Sequence, residues 1–291
     1  MGESGVSAAL NRIKLIIGKS ISNAIDDEVP LHGAAIAFYT IFSVAPLFII
    51  VLSISQYLLS GDLVRQKLYT IVADYTGPQM ASSIQTLVEA YSNTASNTFT
   101  YIIALVMLIF GATTAITQLK ASLNTIWNVP EEDKHFIFKY LLDRSISFLV
   151  IIIITGLFVG VLLLEAVSPV ITSFFHTLLP EFITSFLFLG LPLSSALMTL
   201  LFFYILLRIL PDTTIPRKDV FVGALFTTLL FLIGKYLLAL YLGNSSVQLA
   251  YRAAGSFVVF LIWVYYNIQI FLFGAEFTGV YANRHKLEGY K

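Results

Sequence analysis

The stretch AAIAFYTIFSVAPLFIIVLSISQYLLS, residues 34–60, decides the fold class because it contains no charged side chain. A helix rises 1.5 Å per residue, so about 20 apolar residues suffice to cross a hydrocarbon core of about 30 Å. Comparable apolar runs recur at 99–117, 146–167, 182–210, 220–242 and 256–282. The six runs predict an all-α membrane protein with six transmembrane helices.

The composition supports this class. Hydrophobic residues make up 57% of the chain and charged residues 12%, whereas soluble domains carry about 25% charged residues. Burying that much apolar surface inside a soluble fold would require a larger protein. A membrane provides the apolar surroundings instead.

The distribution of the 17 lysines and arginines predicts the orientation. Thirteen fall in the N-terminal tail, the second and fourth loops and the C-terminal tail, and three fall in the first and fifth loops. Positive charge stays on the cytoplasmic side, so we expect both termini to be cytoplasmic (N-in/C-in). An even number of spans also places both termini on one side.

Three parts of the chain follow from these spans: an amphipathic segment at 1–33, a transmembrane domain at 34–282 and a tail at 283–291. Within the first part, apolar residues recur every three or four positions at Val6, Leu10, Ile13, Ile17, Ile21 and Ile25. This spacing predicts a helix, with basic residues largely on its other side. The helix either lies in the cytoplasmic interface or packs under the bundle.

The first outer loop, residues 61–98, is long enough to hold structure of its own. It contains two apolar stripes with helical spacing, separated by Gly77 and Pro78. Because glycine and proline interrupt helices, we expect two short amphipathic helices on the outer face of the bundle. They serve either as a lid or as packing.

Two predicted spans contain helix-breaking residues. Pro46 lies in the first span, and Gly190 and Pro192 lie near the middle of the fourth. Proline removes a backbone hydrogen bond, and interrupted spans often line the substrate site of transporters. We therefore expect these residues to line a cavity; the alternative is a kink that improves packing.

Ionisable residues within spans are costly unless they are paired or hydrated. Lys235 lies inside the fifth span, and Glu165 in the outer part of the third could approach it. The alternative is that Lys235 extends outward to the interface. We predict that the two residues form a buried charged pair on a transport path.

The last span carries three further polar candidates. Glu276 lies near its inner end, either as a carboxyl on the transport path or as an interface carboxylate paired with Arg208 or Arg144. Asn267 and Gln269, near its middle, belong either to the path or to contacts between helices.

Signatures of enzymes are missing from the sequence. It has no cysteine, its four histidines are scattered, and it has neither a GxSxG nor a Walker motif. The net charge of zero gives no reason to expect nucleic acid as a partner. We expect no catalytic residues, no metal and no cofactor.

Several stretches resemble the YihY/BrkB family of bacterial inner-membrane proteins, formerly labelled ribonuclease BN. These stretches are residues 34–46, 118–127, 210–212, 223–224, 234–236, 251–265 and 274–276. They cover nearly the whole chain in the right order. The resemblance implies a six-helix protein of the bacterial inner membrane. It implies little about activity, and the residues give no support to a ribonuclease.

Three functions are compatible with these observations. The first is a transporter or flippase-like exporter of a lipid or other amphipathic molecule, with membrane lipids and a possible envelope or transport protein as partners. The second is a cation/proton antiporter using Glu165, Lys235 or Glu276. The third is a scaffold for envelope integrity that transports nothing. A cavity open to lipid, a narrow polar pore and a solid core would distinguish them.

Overall fold

The regular elements of the protein are all helical where the structure describes them, in agreement with the predicted all-α class. The structure is a computed structural model. It describes residues 2–58, 69–70, 73, 78, 81–86, 98–130, 145, 149, 196–244 and 255–284.

Five of the long helices lie on predicted apolar runs, and the first lies on the predicted amphipathic segment. The long helices are α1 (Gly2–Asp26), α2 (Val29–Leu58), α3 (Thr98–Ile126), α4 (Ala196–Ile209), α5 (Arg217–Asn244) and α6 (Gly255–Ala282). Three helical stretches are long and apolar enough to cross a membrane: Leu105–Ile126, Arg217–Tyr241 and Phe257–Ala282. The third predicted span lies outside the described residues except for Leu149. Six spans and the N-in/C-in orientation therefore stay predictions.

The main hydrophobic core lies where the N-terminal ends of α2 and α5 meet the C-terminal ends of α3, α4 and α6. We call this the basal end. Each of the five helices contributes buried side chains to it, among them Ile36, Leu123, Leu207, Val220 and Leu272. Polar ends of helices from distant parts of the sequence are thus brought together.

A second, smaller core includes part of the loop predicted at 61–98. Residues 81–86 are helical, and Ala81 and Ile84 pack with Ala37 of α2 and with Phe260 and Val264 of α6. This part of the loop therefore contacts the bundle. Most of the rest of the two helices predicted at 61–98 lies outside the described residues.

Helix α5 shows why these helices suit a lipid environment. Leu225, Leu229 and Leu237 are exposed on one side. Ala224 and Thr228 are buried on the other. An apolar row facing outward is stable in hydrocarbon, where backbone polar groups are satisfied within the helix.

Helices α5 and α6 approach closely through two reciprocal glycine–threonine contacts. A Cβ atom placed on Gly274 would lie 2.9 Å from the Cβ of Thr227, and one placed on Gly223 would lie 2.8 Å from the Cβ of Thr278. Each threonine hydroxyl donates to the glycine carbonyl one turn earlier in its own helix. The small residues allow the two backbones to meet, as is common between membrane helices.

Helices α2 and α3 approach in a similar way. A Cβ on Gly111 would lie 3.0 Å from the carbonyl carbon of Phe42. Helix α2 continues through Pro46, which lacks the N–H that would bond the Phe42 carbonyl. The orientation of the Pro46 side chain lies outside the described part.

Helix α1 combines features of both arrangements predicted for it. Ile16 is buried against Phe277 and Val280 of α6. Ile21 and Ile25, from the predicted apolar row, remain 49% and 70% exposed. One face of α1 thus packs on the bundle while the opposite face presents apolar side chains outward.

Candidate functional site

A cavity of about 560 Å³ lies at the basal end. We call it the basal cavity. Its walls come from α1, α6, the end of α3 and the connection between α4 and α5, and they include Lys19, Asn23, Trp127, Thr214, Pro216 and Glu276. Four elements distant in sequence therefore build one concave site with polar and aromatic walls.

Glu276 is the most deeply buried of the predicted site residues whose burial the structure describes. Its side chain is 1% exposed, and Oε1 has no hydrogen-bond partner in the part of the chain that the structure describes. The side chains of Asn23 and Asp27, at the end of α1, approach the carboxyl group. A buried polar atom without a partner costs about 1–3 kcal/mol, so this site has a requirement that a ligand could meet.

Glu276 does not form an ion pair with Arg208, one of the two arginines considered as its partner. That guanidinium instead donates from Nη1 to the carbonyl oxygen of Ile215 at 2.7 Å. The bond fixes the α4–α5 connection beside the cavity. Arg144, the other partner considered, lies outside the described residues.

Trp127 forms a rigid part of the cavity wall. Its Nε1 donates to the carbonyl oxygen of Ala275 at 2.9 Å. A Cβ on Gly279 would lie 3.1 Å from the indole Cδ1. The glycine therefore leaves room for the ring against α6, one turn from Glu276.

The α4–α5 connection is held to α3 by Asp212. Its Oδ1 lies 2.8 Å from Lys120 Nζ, and its Oδ2 accepts a 2.9 Å hydrogen bond from Asn124 Nδ2. The Asp212 amide in turn donates to Asn124 Oδ1 at 2.9 Å. This clasp positions the loop residues that line the basal cavity.

The C-terminal end of α6 is tied to the start of α5. Arg284 Nη1 lies 2.7 Å from Asp219 Oδ1, and the guanidinium stacks over the Tyr281 ring at 4.2 Å. These contacts fix the basal end on the side where α5 begins and α6 ends.

The structure describes one member of the charged pair predicted on the third and fifth spans. Lys235 lies on α5 and is half-buried, next to the point where Gly234 meets Tyr266 of α6. Its predicted partner Glu165 lies outside the described residues, as do Gly190 and Pro192. The pairing and the break in the fourth span therefore stay predictions.

The two polar residues predicted on the last span differ in their contacts. Asn267 donates within its own helix to the Trp263 carbonyl at 2.6 Å. Gln269 Nε2 lies 3.5 Å from the carbonyl oxygens of Val29 and Pro30, at the start of α2. Gln269 thus joins two helices, and neither residue lines the basal cavity.

Sequence reasoning identified Glu276 but missed Asn23, Trp127 and the Lys120–Asp212 clasp. Lys120, Trp127 and Asp212 all lie in stretches that carry the family resemblance. This shared family resemblance was the signal in the sequence that linked the three residues. Asn23 had no comparable indication, because its role depends on α1 folding against α6.

Comparison with known proteins agrees with the resemblance seen in the sequence. A family model described as virulence factor BrkB matches residues 20–291. A UPF0761 membrane protein of Alteromonas mediterranea is 25% identical over 92% of this chain and 87% of its own length. A UPF0761 membrane protein of Mannheimia succiniciproducens is 24% identical over 93% of this chain and 91% of its own.

Some relatives are longer proteins. A UPF0761 membrane protein of Pseudomonas paraeruginosa is 27% identical over 86% of this chain, but the match spans 59% of that relative. No solved structure matches the chain.

Proposed function

The chain belongs to the virulence factor BrkB family, and we propose that it is a transporter that moves a lipid or other amphipathic molecule. It acts in the bacterial cytoplasmic membrane as a multi-pass protein with both termini in the cytoplasm. It moves its substrate without enzymatic chemistry, with membrane lipids and possible envelope or transport proteins as partners. The observation that carries the proposal is the basal cavity with the buried Glu276 in its wall.

Two further features support an amphipathic substrate. The outward faces of α3 and α5 carry exposed apolar side chains, including Val106 and Leu229, which suit contact with lipid. The cavity is lined by the polar side chains of Lys19 and Asn23 and by the apolar side chains of Ile126, Ile215 and Val280. A molecule with a polar and an apolar part would find both kinds of surface here.

A cation/proton antiporter is the second candidate. Glu276 is a carboxyl group buried on a helix that is long enough to cross a membrane. Carboxyl groups in such positions form the proton relays of many pumps and transporters. This reading needs no lipid to enter the basal cavity.

The proposal is tested with the full-length chain reconstituted in liposomes that contain fluorescent phospholipid in both leaflets. A membrane-impermeant reductant bleaches the outer leaflet, and lipid movement carries the bleaching beyond that fraction. We expect faster movement than in protein-free liposomes, slowed by Glu276→Gln and unaffected by Glu28→Gln, which changes an exposed carboxyl.

The same liposomes separate the alternatives. Loaded with a pH-sensitive dye and given a cation gradient, they would acidify or alkalise if the chain were an antiporter. If the protein moved neither lipid nor protons, the scaffold for envelope integrity would be the remaining candidate.

A further inference from the structure

Glu276 is placed where a cation would be stabilised. Its carboxyl lines the basal cavity, its side chain is 1% exposed, and Oε1 has no partner among the described residues. Asp27 approaches the same carboxyl, so α1 adds a second acidic group there. A buried carboxyl group next to a second carboxyl group is stabilised by a shared proton or by a bound cation. The cavity wall therefore favours a positively charged ligand.

The aromatic wall indicates which kind of cation fits. The Trp127 indole, fixed by its 2.9 Å bond to the Ala275 carbonyl, lines the same cavity. Tryptophan is the best aromatic partner for an ammonium group. A hard metal ion requires several oxygen ligands, and the described residues contain no group of three His, Cys, Asp or Glu side chains that could hold one. An organic ammonium group suits the site better.

Helix α1 also supplies a positive charge to the cavity wall. Lys19 is an exposed residue that lines the basal cavity, and a lysine ammonium is a common partner of phosphate. We propose that the basal cavity binds the headgroup of an amine-bearing zwitterionic phospholipid. Its ammonium lies at Glu276 and Trp127, and its phosphate lies at Lys19. The inference deepens the proposed function, on which it rests for the lipid being the transported molecule.

Apolar surface in the cavity favours a lipid over a soluble amine. Ile126, Ile215 and Val280 line the cavity together with Lys19 and Asn23. Acyl chains that extend from a bound headgroup would find this surface at the site. A free phosphoethanolamine would gain nothing from it.

Binding is measured through Trp127. The chain has two tryptophans, so in the full-length Trp263→Phe protein Trp127 is the remaining tryptophan, and it is excited at a wavelength that tyrosine does not absorb. This protein, in phosphatidylglycerol nanodiscs, is titrated with short-chain phosphatidylethanolamine, with its N-acetylated form and with free phosphoethanolamine. The acetyl group removes the positive charge and keeps the rest of the lipid.

We expect a saturable change in Trp127 fluorescence with phosphatidylethanolamine. The N-acetylated lipid should bind about 10-fold more weakly, since a charge-assisted hydrogen bond is worth at least that factor. Glu276→Gln should weaken phosphatidylethanolamine binding by a similar factor, and Glu28→Gln should leave it unchanged. The two lipids are also compared on the protein with Glu276 intact. That comparison tests the ammonium site even if Glu276→Gln fails to fold.

Equal binding of the amine and N-acetylated lipids would overturn the ammonium site. Equal binding of phosphatidylethanolamine and free phosphoethanolamine would overturn the assignment to a lipid. A chain that binds phosphatidylethanolamine selectively but moves no lipid would overturn the proposed transport and leave the binding site standing.

Discussion

Lys120 and Asp212 form an ion pair at the basal end, with 2.8 Å between Nζ and Oδ1. They join α3 to the connection between α4 and α5. The Lys120 side chain is 4% exposed and that of Asp212 is 44% exposed, so the pair crosses from the core to the surface. Asn124 strengthens it with two hydrogen bonds to the same aspartate. The pair holds the loop that lines the cavity.

The first prediction concerns this pair. Asp212→Asn removes the negative charge beside a buried lysine, and we expect the free energy of unfolding to fall by about 1–3 kcal/mol. The double variant Lys120→Met with Asp212→Asn should recover part of the loss, because the buried positive charge is gone as well. Thermal unfolding in detergent measures all the variants.

Glu28→Gln is the control for this cycle, since it removes an exposed carboxyl and should change stability by less than about 0.5 kcal/mol. If the stability loss of the double variant equalled the sum of the losses of Lys120→Met and Asp212→Asn measured separately, the two residues would not be coupled as an ion pair.

The second prediction concerns the close approach of α5 and α6. Gly274→Ala would place a Cβ 2.9 Å from both Cβ and Cγ2 of Thr227, so no rotation of the threonine removes the overlap. We expect a loss of about 1–3 kcal/mol, seen as a lower midpoint of thermal unfolding. Gly111→Ala, which meets the backbone of α2, should lose at least as much.

Gly18→Ala is the matched control. Nothing lies within 4 Å of a Cβ at this helical position, and alanine favours helix over glycine by about 0.5–1 kcal/mol. The control should therefore be neutral or stabilising. A similar effect of Gly18→Ala and Gly274→Ala would contradict the packing argument.

Helices were predictable from the sequence where uninterrupted apolar runs decide the structure. Helix α6 begins at Gly255, next to the predicted start at residue 256. Helix α3 instead continues to Ile126, well beyond the apolar run that ends at Thr117. Its last turns bury Leu119 and Leu123 while polar residues interrupt the run, so hydropathy marks a membrane-embedded stretch and not the end of a helix.

The candidate site was less predictable because its contacts are long-range. Glu276 could be chosen from its position in an apolar span, but its neighbours could not. Arg208, one of the two arginines considered as an alternative partner, is bonded to Ile215. Asn23 and Asp27 approach Glu276 instead because α1 folds against α6. No local pattern encodes a contact between the two ends of the chain.

The third prediction concerns topology. Reporter fusions at Thr94 and at Lys134 should report opposite sides of the membrane, with Lys134 cytoplasmic, because positively charged loops remain inside. The measurement uses one reporter active in the cytoplasm and one active outside it. Both fusions on the same side would exclude the six-span arrangement.

The fourth prediction concerns Lys235, which lies within the stretch of α5 that is long and apolar enough to cross a membrane. We expect Lys235→Met to reduce lipid movement and stability, because it removes one charge of the predicted pair with Glu165. Glu165→Gln in the same chain should restore part of the stability. Lys235→Arg, which keeps the charge, is the matched control. No rescue by Glu165→Gln would show that the two residues are not direct partners.

The last prediction places α1 in the membrane interface. Ile21 is an exposed apolar residue on α1, and neighbouring Ser22, 100° further around the helix, is an exposed polar one that contacts Asp26. In a Trp127→Phe, Trp263→Phe background, Ile21→Trp should be quenched strongly by brominated lipid, and Ser22→Trp weakly. An amphipathic helix buries its apolar face about 5–10 Å into the headgroup boundary and leaves its polar face in water. Equal quenching at both positions would place α1 away from the interface or rotated within it.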